Sequence, residues 1–119
     1  MFEFTEEHFG QVKVLHLQGK MMGGADTQAM HSYLAELVKG DCTPFLVMDF
    51  EDVRWINSTG VGVIIACLTA LRREGGDIHF ANLHDMPQRY FQLTKLDTVV
   101  KIFDSLTEAV ENFAVTEVT

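Results

Sequence analysis

Dense clusters of lysine or arginine are missing from this chain. Across 119 residues there are 9 basic side chains against 17 acidic ones, a formal net charge of -8. That balance opposes binding to nucleic acid or to an anionic membrane surface, both of which select for concentrated positive charge. Cysteine is scarce too: Cys42 and Cys67 stand in no CxxC spacing, and Cys67 lies inside an apolar run. Reduced thiols of a cytoplasmic protein account for both. The opening "MFEFTEEHFG" has acids where a signal peptide needs a basic segment and then an apolar stretch. The longest such stretch, Val61 to Leu71, is interrupted by Gly62 and Thr69. No export signal and no direct membrane insertion are expected.

Catalytic signatures are lacking as well. "NSTGVG" is not GxSxG, because position 56 is isoleucine, so no nucleophile elbow is supported and no base can be assigned. The histidines at 8, 16, 31, 79 and 84 show neither HxxxH nor HxH pairing, so no metal site is expected, and surface or partly buried structural roles suit them. "MMGGAD" has glycines but neither a lysine nor a GxGxxG context, and reads as a flexible loop rather than a phosphate cradle. The expectation is a binding module without cofactor, and not an enzyme.

What is present is a core and an alternation of elements. With 47% hydrophobic residues, the chain suits one domain over 1–119. "FEFTEEHFGQVKVLHLQG" predicts a hairpin turning at Gly10, with Val12, Val14, Leu15 and Leu17 on its second strand. Leu15 directly after Val14 breaks alternation, which implies burial on both faces or a bulge. Met30, Tyr33, Leu34, Leu37 and Val38 recur at helical spacing behind Asp26, a plausible cap. "PFLVMDF", bounded by Pro44 and by Glu51 and Asp52, predicts a central strand. A helix then starts at Ser58 or Thr59 and stops at Gly75 and Gly76. "DIHFANL" reads as a strand, "DMPQRYFQLTKL" as a helix capped by Asp85, "VVKIF" as a strand, and Ser105 with Glu108 as the capping box of a last helix. Strands separated by helices need crossovers, so the class is α/β: a mixed sheet, parallel beyond its N-terminal hairpin. Phe45, Val47, Ile64, Leu68 and Phe80 are the expected core.

Within "WINSTGVGVII", Asn57, Ser58 and Thr59 form a polar triplet among apolar residues and glycines. Ser58 or Thr59 capping the helix is the bland explanation. A second hydroxyl is then left over, as a nucleophile or a site of modification. A phosphoryl group on Ser58 would meet unpaired N–H groups and the positive end of the helix dipole, which accept an anion. Gly60 and Gly62 leave room for the close approach of a partner, and phosphate would add about -1.5 to -2 charge to that surface.

The block "VMDFEDVRWINSTGVGVIIACLTALRREGGDIHFANL" resembles the centre of STAS domains of the anti-sigma factor antagonist family: an apolar strand, an acid-rich turn, D-S-[ST]-G-[LVI]-G, and a helix ending in glycines. The likeness continues through "MPQRYFQLTKLDTVVKIFDSLTEAV" and covers about residues 10–113. Asn57 stands where the family usually has aspartate, and "GKMMGGAD" carries Lys20 early and Asp26 late where many relatives have an acid. The resemblance implies a STAS-like single domain that binds an anti-sigma factor acting as a serine kinase and so releases a sigma factor. It further implies a switch-off by phosphorylation at Ser58, a PP2C-type phosphatase that reverses it, and a partner surface of Asn57, Ser58, Thr59, Gly60 and Gly62. The same fold also serves as a constitutive docking subunit of ABC-type lipid transport systems or as a signalling scaffold.

Overall fold

Gly10, at a φ of +62°, reverses the chain between two antiparallel strands, β1 (Phe2–Phe9) and β2 (Val12–Met21). The computed structural model describes residues 2–40 and 45–118, with side chains other than those at 26, 37–40 and 114–118. After β2 follow α1 (Ala25–Gly40), β3 (Phe45–Ile56), α2 (Ser58–Arg73), β4 (Asp77–Ala81), α3 (Asp85–Leu93), a 3₁₀ turn (Leu96–Thr98), β5 (Lys101–Phe103) and α4 (Leu106–Val118). The strands form one sheet in the order β1-β2-β3-β4-β5, parallel from β2 onward. This is the mixed α/β sheet with an N-terminal hairpin that the alternation of elements predicts.

Of the two explanations for Leu15 following Val14, burial on both faces holds, since the pairing with β3 is regular from Lys13 to His16. Val14 and Leu15 are each fully buried, on opposite faces. Val14 joins Val12, Val47, Ala81 and the α4 residues Ala109 and Phe113. Leu15 and Leu17 join Met30 and Leu34 of α1, Ile64 and Leu68 of α2, and Phe91 of α3. Helices α1, α2 and α3 thus cover one face and α4 the other. The register of β2 against β3 also shifts, between His16 and Gln18 and again between Gly19 and Lys20.

The central strand runs further than its apolar stretch. Glu51 and Asp52 are exposed but do not end it: β3 stays paired with β2 as far as Met21 and Ile56, because Val53 and Ile56 still reach the core. Pairing with β4 stops at Asp49 and Ala81. The last part of β3 therefore projects past β4 and carries the polar triplet with it.

Helix ends differ from expectation in instructive ways. The stop of α2 is as read: Gly75 has a φ of +88°, Gly76 N–H donates to the Leu71 carbonyl at 2.9 Å and Gly75 N–H to that of Arg72 at 3.2 Å, a Schellman arrangement. Ser105 Oγ accepts from Glu108 N–H at 3.2 Å, half of a capping box. Asp26 is not the cap of α1, since the helix starts at Ala25 and the Gly24 carbonyl already accepts from Gln28 N–H. Asp85 is the first helical residue of α3 and His84 the cap, because the Asp85 carboxylate turns to His84 Nδ1 at 2.9 Å instead of to the helix N–H groups. "VVKIF" shortens to Lys101–Phe103, with Val99 and Val100 closing the preceding 3₁₀ turn. The expected burial of Leu37 and Val38 and the state of Cys42 lie outside the described residues and side chains. Val47, Ile64, Leu68 and Phe80 are core; Phe45 is only partly buried, at the rim of the α4 cluster, its ring 5.0 Å from that of Phe113. Of the surface or partly buried structural roles expected for the histidines, His79 takes a more deeply buried one: it is 2% exposed, bonded through Nδ1 to the Ala109 carbonyl at 2.9 Å and stacked on Phe113.

A polar cluster ties the strands together on the α4 side, just short of the projecting part of β3. His16 reaches Asp49 at 2.8 Å and Glu7 at 2.7 Å, and the buried Asp49 also accepts from Asn82 at 2.9 Å and from Glu51 N–H at 3.0 Å. Partial burial works against a charge on His16, but the Glu7 and Asp49 carboxylates override it and raise its pKa.

Two outcomes are expected. Leu68→Ala removes a large side chain that is 4% exposed under α2 and should lower stability by about 2–5 kcal/mol in chemical denaturation; an unchanged midpoint would refute the packing of α2. A raised folded pKa means that the His16 ion pairs stabilise fully below the unfolded pKa, about 6.5, and fade as pH climbs through the folded value. Stability should therefore decline across that window, and His16→Gln should flatten the decline; equal slopes in parent and variant would show that the cluster contributes nothing.

Candidate functional site

The start of α2 is fixed by a close backbone approach. Asn57 N–H donates to the Met21 carbonyl at 3.2 Å, bringing the helix entry against the end of β2. Gly60 lies there too: a Cβ on it would sit 2.6 Å from the Met21 carbonyl oxygen, nearer than any side chain tolerates. Gly60 is accordingly buried, so of the expected partner surface it is a packing residue and not a contact. Gly62, two positions beyond, is exposed, with open space where a Cβ would stand.

Asn57, rather than Ser58 or Thr59, caps the helix. Its backbone is extended (φ -120°, ψ -178°), and its Oδ1 accepts from Gly60 N–H at 3.0 Å. The other end of the same amide donates from Nδ2 to the Met22 carbonyl at 3.2 Å. The capping explanation for the two hydroxyls is thereby corrected. An asparagine already in the cap position fills that role, and both hydroxyl residues fall inside the first turn. Ser58 is exposed, and among the described residues nothing hydrogen-bonds its hydroxyl. Thr59 is exposed but packs its methyl side toward the β2–α1 loop, where a Cβ on Gly23 would come 2.3 Å from Thr59 Cγ2.

That loop, which the sequence suggests is merely flexible, is tied down at both ends. Gly23, at a φ of +87°, donates its N–H to the hydroxyl of the buried Thr27 at 3.2 Å, while the Met22 carbonyl is held by Asn57. Met22 at 46%, whose carbonyl Asn57 holds, and Trp55 at 45%, two residues before the triplet, are among the most exposed large apolar side chains described. Neither was singled out from the sequence, although a tryptophan two residues before the triplet is a usable signal for a contact surface. The structure thus gathers Ser58, Thr59 and Gly62 with Met22 and Trp55 at one end of the sheet, and sends Gly60 inward.

The chemistry open to this site is limited. Hydrogen bonds made by His8, His16, His79 and His84 all lead elsewhere: to Glu6, to Glu7 and Asp49, to the Ala109 carbonyl, and to Asp85 and the Glu51 carbonyl. Burial pushes the Cys67 thiol up to about 11, which disfavours the nucleophilic thiolate. Among the described residues no group of histidine, cysteine, aspartate and glutamate is placed to hold a metal ion, and no helix is long and apolar enough to cross a membrane.

Comparison with known proteins agrees with this architecture. A Thermotoga maritima protein provisionally named an anti-sigma factor antagonist is 37% identical over 75 residues, 63% of this chain; the match takes in 65% of that relative, so the chain spans less than two thirds of its length. A crystal structure of a Thermotoga maritima protein of the same provisional name superposes with a TM-score of 0.83 at 25% identity, covering 92% of both chains. An anti-sigma factor antagonist from Mycobacterium paratuberculosis gives 0.80 at 23% identity over 94% of this chain and 93% of its own, a likeness of fold. The family model for the STAS domain matches residues 4–109, from the hairpin through the triplet and into α4, and the chain therefore belongs to the STAS domain family.

Proposed function

We propose that this chain is an anti-sigma factor antagonist: in its unmodified form it binds an anti-sigma factor that is also a serine kinase, freeing a sigma factor, and phosphorylation of Ser58 ends that binding. The observation that carries this reading is the division of work in the triplet. Asn57 caps α2, so the exposed Ser58 hydroxyl is not needed for the cap and stands at the helix entry, at the same end of the sheet as the exposed Met22, Trp55 and Gly62. The relative's name supports the same role. Phosphate on Ser58 would sit where the helix dipole accepts an anion, so the fold tolerates it. On a chain of net charge -8 it would add about -1.5 to -2 more at the docking face, and the added repulsion and desolvation weaken the complex. A PP2C-type phosphatase is the proposed means of return. The setting is cytoplasmic, and the switch is local.

The reading also holds that the chain is a binding module with no hydrolase activity of its own. A fluorophosphonate probe should leave Ser58 unlabelled; labelling, together with turnover that disappears in Ser58→Ala, would replace the module with an enzyme.

The switch is tested by phosphopeptide mapping after co-expression with candidate serine kinases from the same genome. Phosphate is expected on Ser58. Ser58→Ala should hold the partner constitutively in pull-downs, and Ser58→Asp should hold it more weakly while melting close to the parent. Phosphate on Thr59 alone would move the site by one residue. A chain never phosphorylated, whose Ser58→Asp variant binds as well as the parent, would instead mark a constitutive docking module.

A further inference from the structure

We propose that Asn57 is a positioning residue that clips the β2–α1 loop to the entry of α2, so that Met22 and Ser58 present one continuous docking face. The amide makes two bonds of opposite sense: Oδ1 accepts from Gly60 N–H at 3.0 Å and Nδ2 donates to the Met22 carbonyl at 3.2 Å. Its orientation is settled by these partners, since a flipped amide would set donor against donor and acceptor against acceptor. An aspartate at this position would satisfy only the first bond. A carboxylate would cap Gly60 equally well and face the Met22 carbonyl with a second acceptor, about 3 Å away. Asparagine at 57 is therefore explained by what it does for the loop and not by the helix cap.

The loop's other described hydrogen bonds lie on either side of the Met22 carbonyl: Met21 accepts from Asn57 N–H at 3.2 Å, and Gly24 accepts from Gln28 N–H at 3.0 Å. Gly23, directly after Met22, is pressed on Thr59 and bonded to Thr27, and a Cβ on Gly24 would stand in open space. Releasing the Met22 carbonyl therefore loosens the residue that carries the 46% exposed Met22 side chain, next to the helix entry where Ser58 stands. The bearing on partner docking rests on the function proposed above; the clip itself does not.

Amide resonances of the unmodified full chain test the clip without any partner. In Asn57→Asp at neutral pH, the Met22, Gly23 and Gly24 resonances should leave their parent positions and the Gly23 amide should exchange at least tenfold faster. Gly60 should stay protected, because the cap survives. On acidification through the titration of the introduced carboxyl, near 4, the protonated group regains a donor, and the loop resonances should return toward the parent. The parent, titrated in parallel, subtracts the effect of its native carboxylates. Asn57→Ala should lose protection at both Gly23 and Gly60 with no return at low pH. Loop resonances unmoved in Asn57→Asp at neutral pH, or moved without any return on protonation, would overturn the clip. In pull-downs with the partner kinase, unphosphorylated Asn57→Asp should bind at least several-fold more weakly. A failure there, with the loop resonances behaving as expected, would refute the docking reading and leave the clip standing.

Discussion

A backbone contact governs this molecule: the Met21 carbonyl at the end of β2 meets Gly60 in the first turn of α2 at a distance that admits no side chain. The contact forms because β3 remains paired with β2 until Ile56 sits opposite Met21, and the chain enters α2 two residues later, at Ser58. Glycine is unfavourable inside a helix by about 1 kcal/mol relative to alanine. Here that loss is offset by letting α2 begin against the sheet, where Ile64, Leu68 and Leu71 are laid onto the core. The Asn57 cap, the outward Ser58 and the loop pressed on Thr59 all follow from where the helix starts.

The same end of the sheet is stiffened from its other face. Asp49 is buried at the point where β3 loses β4 as a neighbour, and a buried carboxylate is tolerable only when its lone pairs are taken up. His16 from β2, Asn82 from the turn after β4 and the Glu51 N–H take them up. Asn82 adopts a φ of +61° to do so, a conformation asparagine enters more readily than most residues. The strands are thus joined by side chains where the backbone ladder ends.

Much of this was legible in the sequence, and the misses share a cause. Element order, the hairpin at Gly10, the glycine stop of α2 and the parallel crossovers follow from local signals: periodicity, turn residues and the need of parallel strands for long connections. The end of β3 was not legible, because Glu51 and Asp52 look like a boundary when read alone. They are exposed positions on a strand that β2 still pairs and whose Val53 and Ile56 still face the core. The caps of α2 and α3 failed for a similar reason. Asn57, Ser58 and Thr59 are all acceptable caps by composition. Which one serves depends on the register of β3 against β2, a tertiary fact. Asp85 was a reasonable cap until His84, itself donating to the Glu51 carbonyl at 2.7 Å, drew its carboxylate aside. At the site, the exposed Ser58, Thr59 and Gly62 were found from the motif. The inward turn of Gly60 and the company of Met22 and Trp55 were not, since these depend on the far end of β2.

The two adjacent hydroxyls find their explanation in helix geometry. Successive residues of a helix point about 100° apart, so once Asn57 occupies the cap, Ser58 and Thr59 cannot share a neighbour. Thr59, also exposed, packs its methyl toward the Gly23 loop and Gly60 meets Met21, while Ser58 faces outward beside them. A charge placed there acts on whatever docks and leaves the core packing alone, because the polar contacts that hold the turn, at Gly60 N–H and the Met22 carbonyl, belong to Asn57. The arrangement separates the capping side chain from the exposed hydroxyl by one residue. It also gives a neutral asparagine an advantage over aspartate: it holds two elements together without adding a negative charge beside the residue proposed to gain one.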